Sequence, residues 1–406
     1  MRSKLKYIGA VMAAAVAVVL ALPPAPASAH GETAQEAFLR MGTVAFWDVK
    51  YSADKVAQGE ELTITGTAKI LETYPEQLAE PKLGFIGVIA PGPTVVIKER
   101  TINGAPAPMA IEIEKGGVYQ FKMVLQGRRV GHWHVHPIFG IHGAGSLIGP
   151  GQYVDVTESA GGFTNEVKLL SGKTADLENI GMGGVTFWNV LWLVIGFAWL
   201  LYWIVPKPTV TRLPVTSQIP LNTDGGAYGL ITKKDHRVMN IMMGATIALV
   251  VGGMVWQAQA YPDKMPQQVL HFAPEDAVVD AKFVTADASD AVFDPATDTV
   301  TAKVTVTNTG TSPASVESFM TSTLTFPVAE AGSAERSVQI SPAAPIAPGE
   351  TRELTMSITD EVWAKERLMP VGESRMQLTG VLRLQDEAGH ENFVTVQSFV
   401  TPSAMV

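Results

Sequence analysis

Histidine is the residue type whose placement in this chain could do chemistry. One histidine, His30, follows the small residues Ala27-Ser28-Ala29. Three more alternate in Gly131-His132-Trp133-His134-Val135-His136-Pro137. If the chain is cut after Ala29, His30 carries a free α-amino group and an imidazole on one residue, a ready chelate for copper. In an extended strand, His132, His134 and His136 share one face while Trp133 and Val135 point to the other. Residues two apart in a strand lie about 6.5–7 Å apart at Cα, close enough for two imidazoles to converge on one ion. Copper(II) favours tetragonal nitrogen ligation. The His30 amine, the His30 imidazole and two strand histidines would supply four nitrogens. An α-amino pKa of about 7.7–8.0 makes its deprotonation inexpensive near neutral pH, and Glu32 is a candidate partner for an imidazole N–H.

The residues alone leave open which two strand histidines ligate. His132 begins the strand after Gly131 and reads as a solvated end residue. His142, followed by Gly143, reads as a loop residue. His236 sits among basic residues, and His271 and His390 are isolated. No Ser/His/Asp arrangement, phosphate-binding loop or paired-carboxylate motif stands out in the sequence.

The chelate depends on processing. Arg2, Lys4 and Lys6 form a positive n-region, Ile8 to Leu22 is apolar and uncharged, and Ala27-Ser28-Ala29 is a small-residue cleavage pattern. Residues 1–29 are therefore expected to be a cleaved signal peptide. The chain has no cysteine, which excludes blue-copper and other thiolate copper sites and cysteine-based zinc sites. A net charge of -9 gives no electrostatic support to a nucleic-acid role. A length of 406 residues calls for more than one domain.

Two apolar runs divide the chain. Val185 to Val205 and Val238 to Trp256 carry no charged residue, and each is near the ~20 residues that span a bilayer as a helix. Tryptophan and tyrosine toward the ends of the first run suit the membrane interface. Between the runs, Lys207, Arg212, Lys233, Lys234 and Arg237 outnumber Asp224 and Asp235, so this short connector is expected on the cytoplasmic side. The flanking domains then lie outside the cytoplasm, in agreement with the signal peptide. The expected order is a first domain over 30–180, a span over 185–205, a cytoplasmic loop over 206–237, a second span over 238–258 and a second domain over 262–406.

Both outer domains read as β. Leu62 and Ile64 alternate with threonines, and Tyr119, Phe121 and Met123 alternate with Gln120 and Lys122. Tyr153 to Val156 follows the turn Gly149-Pro150-Gly151. In the second domain, Val300, Ala302, Val304 and Val306 alternate with threonines and Lys303, and Leu354, Met356 and Ile358 alternate after Ala347-Pro348-Gly349. Period-two strands separated by Gly/Pro turns predict sandwiches. The apolar spacing over Thr33 to Met41 predicts one or two helical turns.

With these residues in view, the chain resembles the B subunit of the copper membrane monooxygenases, the particulate methane, ammonia and short-chain alkane monooxygenases. The resemblance rests on His30-Gly31-Glu32, A-F-L-R-M at 37–41, F-W-D at 46–48, P-G-P at 91–93, G-R-R-x-G-x-W-H-V-H at 127–136, L-I-G-P-G-Q-Y at 147–153, E-N-I at 178–180 and A-P-G-E-T-R at 347–352. It covers essentially the whole chain. It implies a mainly β fold: two cupredoxin-like β-sandwich domains joined by a hairpin of two transmembrane helices. It implies a copper site on His30, His134 and His136, with His132 falling where relatives vary. It also implies A and C partner subunits, a trimer of such heterotrimers, the lipid bilayer, and quinol as electron donor to the complex.

One departure stands out. Some methane-oxidising relatives carry a further histidine for a second copper site in this subunit, and Ala45 occupies that place here. A second site on that residue is not expected, and Ala45→His is expected to add a copper-binding position.

The implied activity is insertion of one oxygen atom of O2 into methane, a short-chain alkane or ammonia. Two readings from other classes stay open on the sequence: a membrane-anchored copper-binding or delivery protein without enzyme activity, and an extracytoplasmic scaffold whose histidines are incidental.

Overall fold

The computed structural model describes residues 35–107, 110–205, 233–262, 280–329, 336–372 and 376–403. The expected signal peptide, His30, Glu32, His271 and most of the connector between the apolar runs lie outside the described residues.

The first domain begins with a short helix, α1 (Ala37–Gly42). Its strands are β1 (Val44–Tyr51), β2 (Lys55–Ala57), β3 (Glu61–Ile70), β4 (Leu83–Ile89), β5 (Val95–Ile102), β6 (Ala105–Pro106), β7 (Ile111–Glu112), β8 (Val118–Gly127), β9 (Gly131–Ile141), β10 (Gly145–Ile148) and β11 (Gln152–Thr157). They form two sheets, one in the order β1-β3-β8-β5-β6 and one in the order β2-β11-β9-β4-β7, with β10 folded back on β9. The predicted alternation is what closes them on each other. Phe121, Met123 and Leu125 of β8, Leu62 and Ile64 of β3, and Val135 and Phe139 of β9 are buried in one shared core. Gln120 and Lys122 face outward. One sheet face buried and one solvated is the stable arrangement for antiparallel strands.

Residues 164–267 form a separate compact unit. This unit holds a small ladder of β12 (Glu166–Lys168) with β13 (Thr174–Asp176) and two helices, α2 (Met182–Ile204) and α3 (Lys233–Ala260). At about 1.5 Å per residue the helices extend for roughly 35 and 42 Å, enough to cross a hydrocarbon layer of about 30 Å. They run antiparallel. The Tyr202 hydroxyl at the end of α2 donates to the Asp235 carboxylate at the start of α3, at 2.7 Å, while Trp188 near the start of α2 lies against Gly253 near the end of α3. The helix α3 begins at Lys233, so His236 is helical. Their side chains, apart from Asp235, are left unburied by the chain itself.

The second domain contains β14 (Val284–Asp294), β15 (Thr299–Asn308), β16 (Ala314–Thr321), β17 (Leu324–Pro327), β18 (Gln339–Ser341), β19 (Thr351–Thr359), helix α4 (Val362–Lys365), β20 (Gln377–Asp386) and β21 (Glu391–Pro402). The strand path is β17-β16-β20-β21-β14-β15-β19-β18. Its two halves meet in a short parallel pairing of Ala291–Phe293 with Val400–Pro402. The path folds over on itself, because Phe319, Leu382 and Val396 of one half share a core with Val304, Val306 and Ile358 of the other. Trp363 of α4 is fully buried in that core and stacks on Phe326 at 5.4 Å.

The two β domains pack together as one compact unit. Ala45, Trp47, Leu71 and Val118 of the first meet Met320, Val381 and Phe393 of the second, with Trp47 stacked on Phe393 at 5.1 Å. The Phe46 amide donates to the Ser322 carbonyl at 2.9 Å. Lys69, fully buried, donates to the Phe393 carbonyl and lies 3.0 Å from Glu72. Glu72 in turn accepts from the Thr395 hydroxyl. The helix α1 belongs to both domains. Ala37 and Met41 are buried in the core of the second domain, a contribution of about 1.5–3 kcal/mol for a methionine side chain. Arg40 donates to the Glu366 carbonyl at 2.6 Å and to its carboxylate at 3.3 Å.

Replacing Arg40 by Met leaves the Glu366 groups without their buried donor. Arg40→Met is expected to weaken the junction by about 1–3 kcal/mol, read as earlier proteolytic cleavage at α1 on heating the full chain. Cleavage at the parent rate would show that this pair does not hold the helix.

Candidate metal centre

The histidine strand β9 lies between β11 and β4 in its sheet. The pleat separates its side chains as expected: Val135 is buried in the core and Trp133 packs against it, while His132, His134 and His136 emerge on the other face. Core burial of Val135 thereby sets where the histidines point, because a one-residue slip would exchange the two faces.

His134 and His136 come together. His134 Nδ1 and His136 Nε2 are 3.0 Å apart, and the rings meet edge to face with centroids 4.2 Å apart. His136 is almost completely buried. Its Nδ1 lies 3.0 Å from the Gly149 carbonyl, which can only accept, so the Nδ1 proton is held there and the Nε2 lone pair faces His134. A carbonyl that fixes the far proton of an imidazole selects its tautomer and orientation for ligation.

The acceptor is itself held in place. The Gly149 amide donates to the Pro137 carbonyl at 2.8 Å. The Tyr51 hydroxyl lies 2.7 Å from the Val135 carbonyl and 3.1 Å from that of Pro150, so its one proton links the histidine strand to the turn that follows β10. Gly151 completes the wall. A Cβ there would fall 2.4 Å from His136 Cε1 and 2.5 Å from Nδ1, inside any allowed contact. The G-P-G turn after β10 is thus shaped around one imidazole.

This donor pair suits a first-row metal ion. Two nitrogens each about 2.0–2.1 Å from one ion, at a right angle, are about 2.9 Å apart, and right angles belong to tetragonal copper(II). The shared proton between the rings is what such an ion would displace. Among the described residues, no group of three metal-ligating side chains converges, so these two offer half of a four-coordinate set.

His30 lies outside the described residues, but its near neighbour Gln35 does not. The Gln35 side-chain amide donates to the Ser146 carbonyl at 2.7 Å and accepts from the Ile148 amide at 3.3 Å. The chain five residues after His30 is therefore fastened to β10, next to the carbonyl that holds His136.

The other histidines are placed elsewhere. His132 is exposed, and its Nδ1 proton goes to the Asp155 carboxylate at 2.6 Å. His142 is exposed beyond the end of β9. His390 is paired with Asp386 at 2.9 Å in a surface turn. Ala45 is fully buried at the junction of the two β domains. That changes the expectation for Ala45→His, since an imidazole there would overfill a packed apolar contact and reach no solvent.

Gly149, Gly151, Tyr51 and Gln35 also belong to the site, and sequence reasoning does not find them. The signal for the first two is the G-P-G turn, which by itself marks only a strand boundary. Gly151→Ala is expected to push the His136 ring off the Gly149 carbonyl and to weaken copper binding by about 10–100-fold in a chelator competition, with the β signature of the circular dichroism spectrum kept. Parent affinity would show that His136 need not sit where it does.

Comparison with known proteins identifies the family of the chain. Residues 31–404 match the family of monooxygenase B-subunit proteins. The particulate methane monooxygenase alpha subunit of Methylococcus capsulatus (strain Bath) is 33% identical over 392 residues, covering 93% of each chain. Among solved structures, the cupredoxin domain of amoB from Nitrosocaldus yellowstonii aligns with 28% of this chain and 87% of its own, at 18% identity and a TM-score of 0.24, too slight a likeness to carry an argument. A match over nearly the full length, together with this level of identity, places the chain in the family of monooxygenase B-subunit proteins.

Proposed function

We propose that the chain is the copper-binding B subunit of a membrane-bound monooxygenase that hydroxylates a small substrate with O2. The observation that carries the metal assignment is the His134–His136 pair, 3.0 Å apart with one tautomer fixed by the Gly149 carbonyl. His30 is the third ligand residue. Five residues span at most about 18 Å, so the anchor at Gln35 leaves His30 within reach of the pair. Cleavage after Ala29 gives it two nitrogens, and the four nitrogens suit tetragonal copper. When bound, copper supplies one-electron redox capacity. The chain's own part is to hold the donor nitrogens, keep a proton on His136 Nδ1 and bury that ring away from water.

Family membership and the two apolar helices support a membrane subunit of a larger complex. The two apolar helices cross the membrane, the basic connector faces the cytoplasm, and both β domains lie on the extracytoplasmic side as cupredoxin-like modules. The exposed apolar faces of the helices meet lipid and the A and C subunits, in a trimer of heterotrimers that takes electrons from quinol. The substrate is methane, another short-chain alkane or ammonia, with the hydrocarbons favoured by the N-terminal motifs.

Two measurements test this. The mature chain with His30→Ala, or with one extra residue ahead of His30, is expected to lose tight stoichiometric copper. Unchanged copper content and an unchanged paramagnetic spectrum would overturn the site. The purified protein is expected to arrive with two very hydrophobic partner subunits and to oxidise one of methane, butane and ammonia in competition. A chain that is isolated alone, stable and able to pass copper to an acceptor would be a delivery protein instead.

A further inference from the structure

Tyr153 has no core to fill. It is 52% exposed, on a strand whose buried positions are Val154 and Val156. Yet its ring is held on both sides. It stacks on His134 with centroids 4.5 Å apart and planes at 22°, and on His132 with centroids 4.6 Å apart and planes at 3°. Strand register produces the arrangement. β11 pairs antiparallel with β9, with Tyr153 opposite His134 and Asp155 opposite His132. Asp155 is therefore placed to accept the Nδ1 proton of His132, at 2.6 Å. The result is a three-ring stack on one face of the sheet. A hydrogen-bonded carboxylate fixes its outer end, and its inner end is the ring whose Nδ1 faces His136.

We propose that Tyr153, backed by His132 and Asp155, is a positioning residue that sets the ring angle of His134 for metal ligation. This rests on the reading that His134 is a ligand. The torsion that turns an imidazole about its Cβ–Cγ bond is broad and weakly determined by itself. Rotation about it swings the Nδ1 lone pair off the metal. A flat ring against the imidazole face restricts that rotation without touching the ring nitrogens, which point outward in the ring's own plane. Aromatic pairs contribute modestly beyond their area burial, and two successive contacts in one stack hold the central ring from both faces. The same geometry gives His132 its role. Its Nδ1 proton is committed to Asp155 and its face to Tyr153, so it braces the stack from outside.

The test uses the full chain in its membrane complex, loaded with copper. The signal followed is the part of the Cu(II) paramagnetic spectrum that His134→Ala removes, together with copper affinity from chelator competition. Tyr153→Phe keeps the ring and is expected to match the parent in both. Tyr153→Leu is expected to weaken affinity about tenfold and to shift and broaden the nitrogen hyperfine pattern. Asp155→Asn, which loosens only the outer brace, is expected to move the spectrum in the same direction by less. If Tyr153→Leu and Asp155→Asn both leave affinity and spectrum at parent values while His134→Ala abolishes the signal, the positioning role is overturned and the ligand assignment stands. If Tyr153→Phe matches Tyr153→Leu, the hydroxyl rather than the stack is at work and the proposal fails. If His134→Ala changes nothing, the ligand assignment itself falls and takes the proposal with it. A Tyr153→Leu chain that does not fold leaves the decision to Asp155→Asn and Tyr153→Phe.

Discussion

The Gly149 carbonyl accepts the Nδ1 proton of His136, and what the first domain can bind follows from where that proton is. With Nδ1 occupied, Nε2 keeps its lone pair and presents it toward His134. The opposite tautomer would turn an N–H on the same spot. The constraint propagates outward. Gly149 stays in place because its own amide is tied to Pro137 and the adjoining turn is held by Tyr51. The turn can approach the ring so closely only because residue 151 has no side chain. The sheet then contributes alternation, which directs Val135 inward and the histidines outward.

The junction between the β domains has a different character. Around an apolar contact of Trp47 with Phe393 it places one lysine out of water, satisfied by a carbonyl and a carboxylate. A buried ammonium tolerates no loss of partners, so these contacts specify the docking geometry more than they add to its strength. The helix α1 extends the same logic to the beginning of the described chain. Its apolar side enters the second domain while Gln35, just ahead of it, is fastened to the first. Gln35 and α1 are thus held between the two domains.

The alternating strands are legible because period-two burial is local: β8, β15 and β19 bury the residues their patterns mark. The helices are legible for a similar reason, since a long uncharged run is its own evidence. That His132, His134 and His136 share a face follows from the pleat once a strand is assumed, but which two of them come together does not. The remainder of the site is not legible because it depends on register between distant segments. Nothing local in Tyr153 or Asp155 says which histidine each will face; that is decided by the pairing of β11 with β9. The turn Gly149-Pro150-Gly151 reads as punctuation until the ring beside it is known. Ala45 reads as a lost ligand position, and only the packing of the second domain explains why a small side chain sits there.

The span between contacting residues gives the junction a temporal meaning. Arg40 meets a residue 326 positions later, and Lys69 one 324 positions later. A chain made from its N-terminus exposes α1 and the Lys69 side chain while their partners have yet to be synthesised. Both apolar helices and most of the second domain must emerge first, and closing so long a loop brings its entropic cost before any contact rewards it. The helix α1, early in the described chain, is consequently among the last elements to reach its final place.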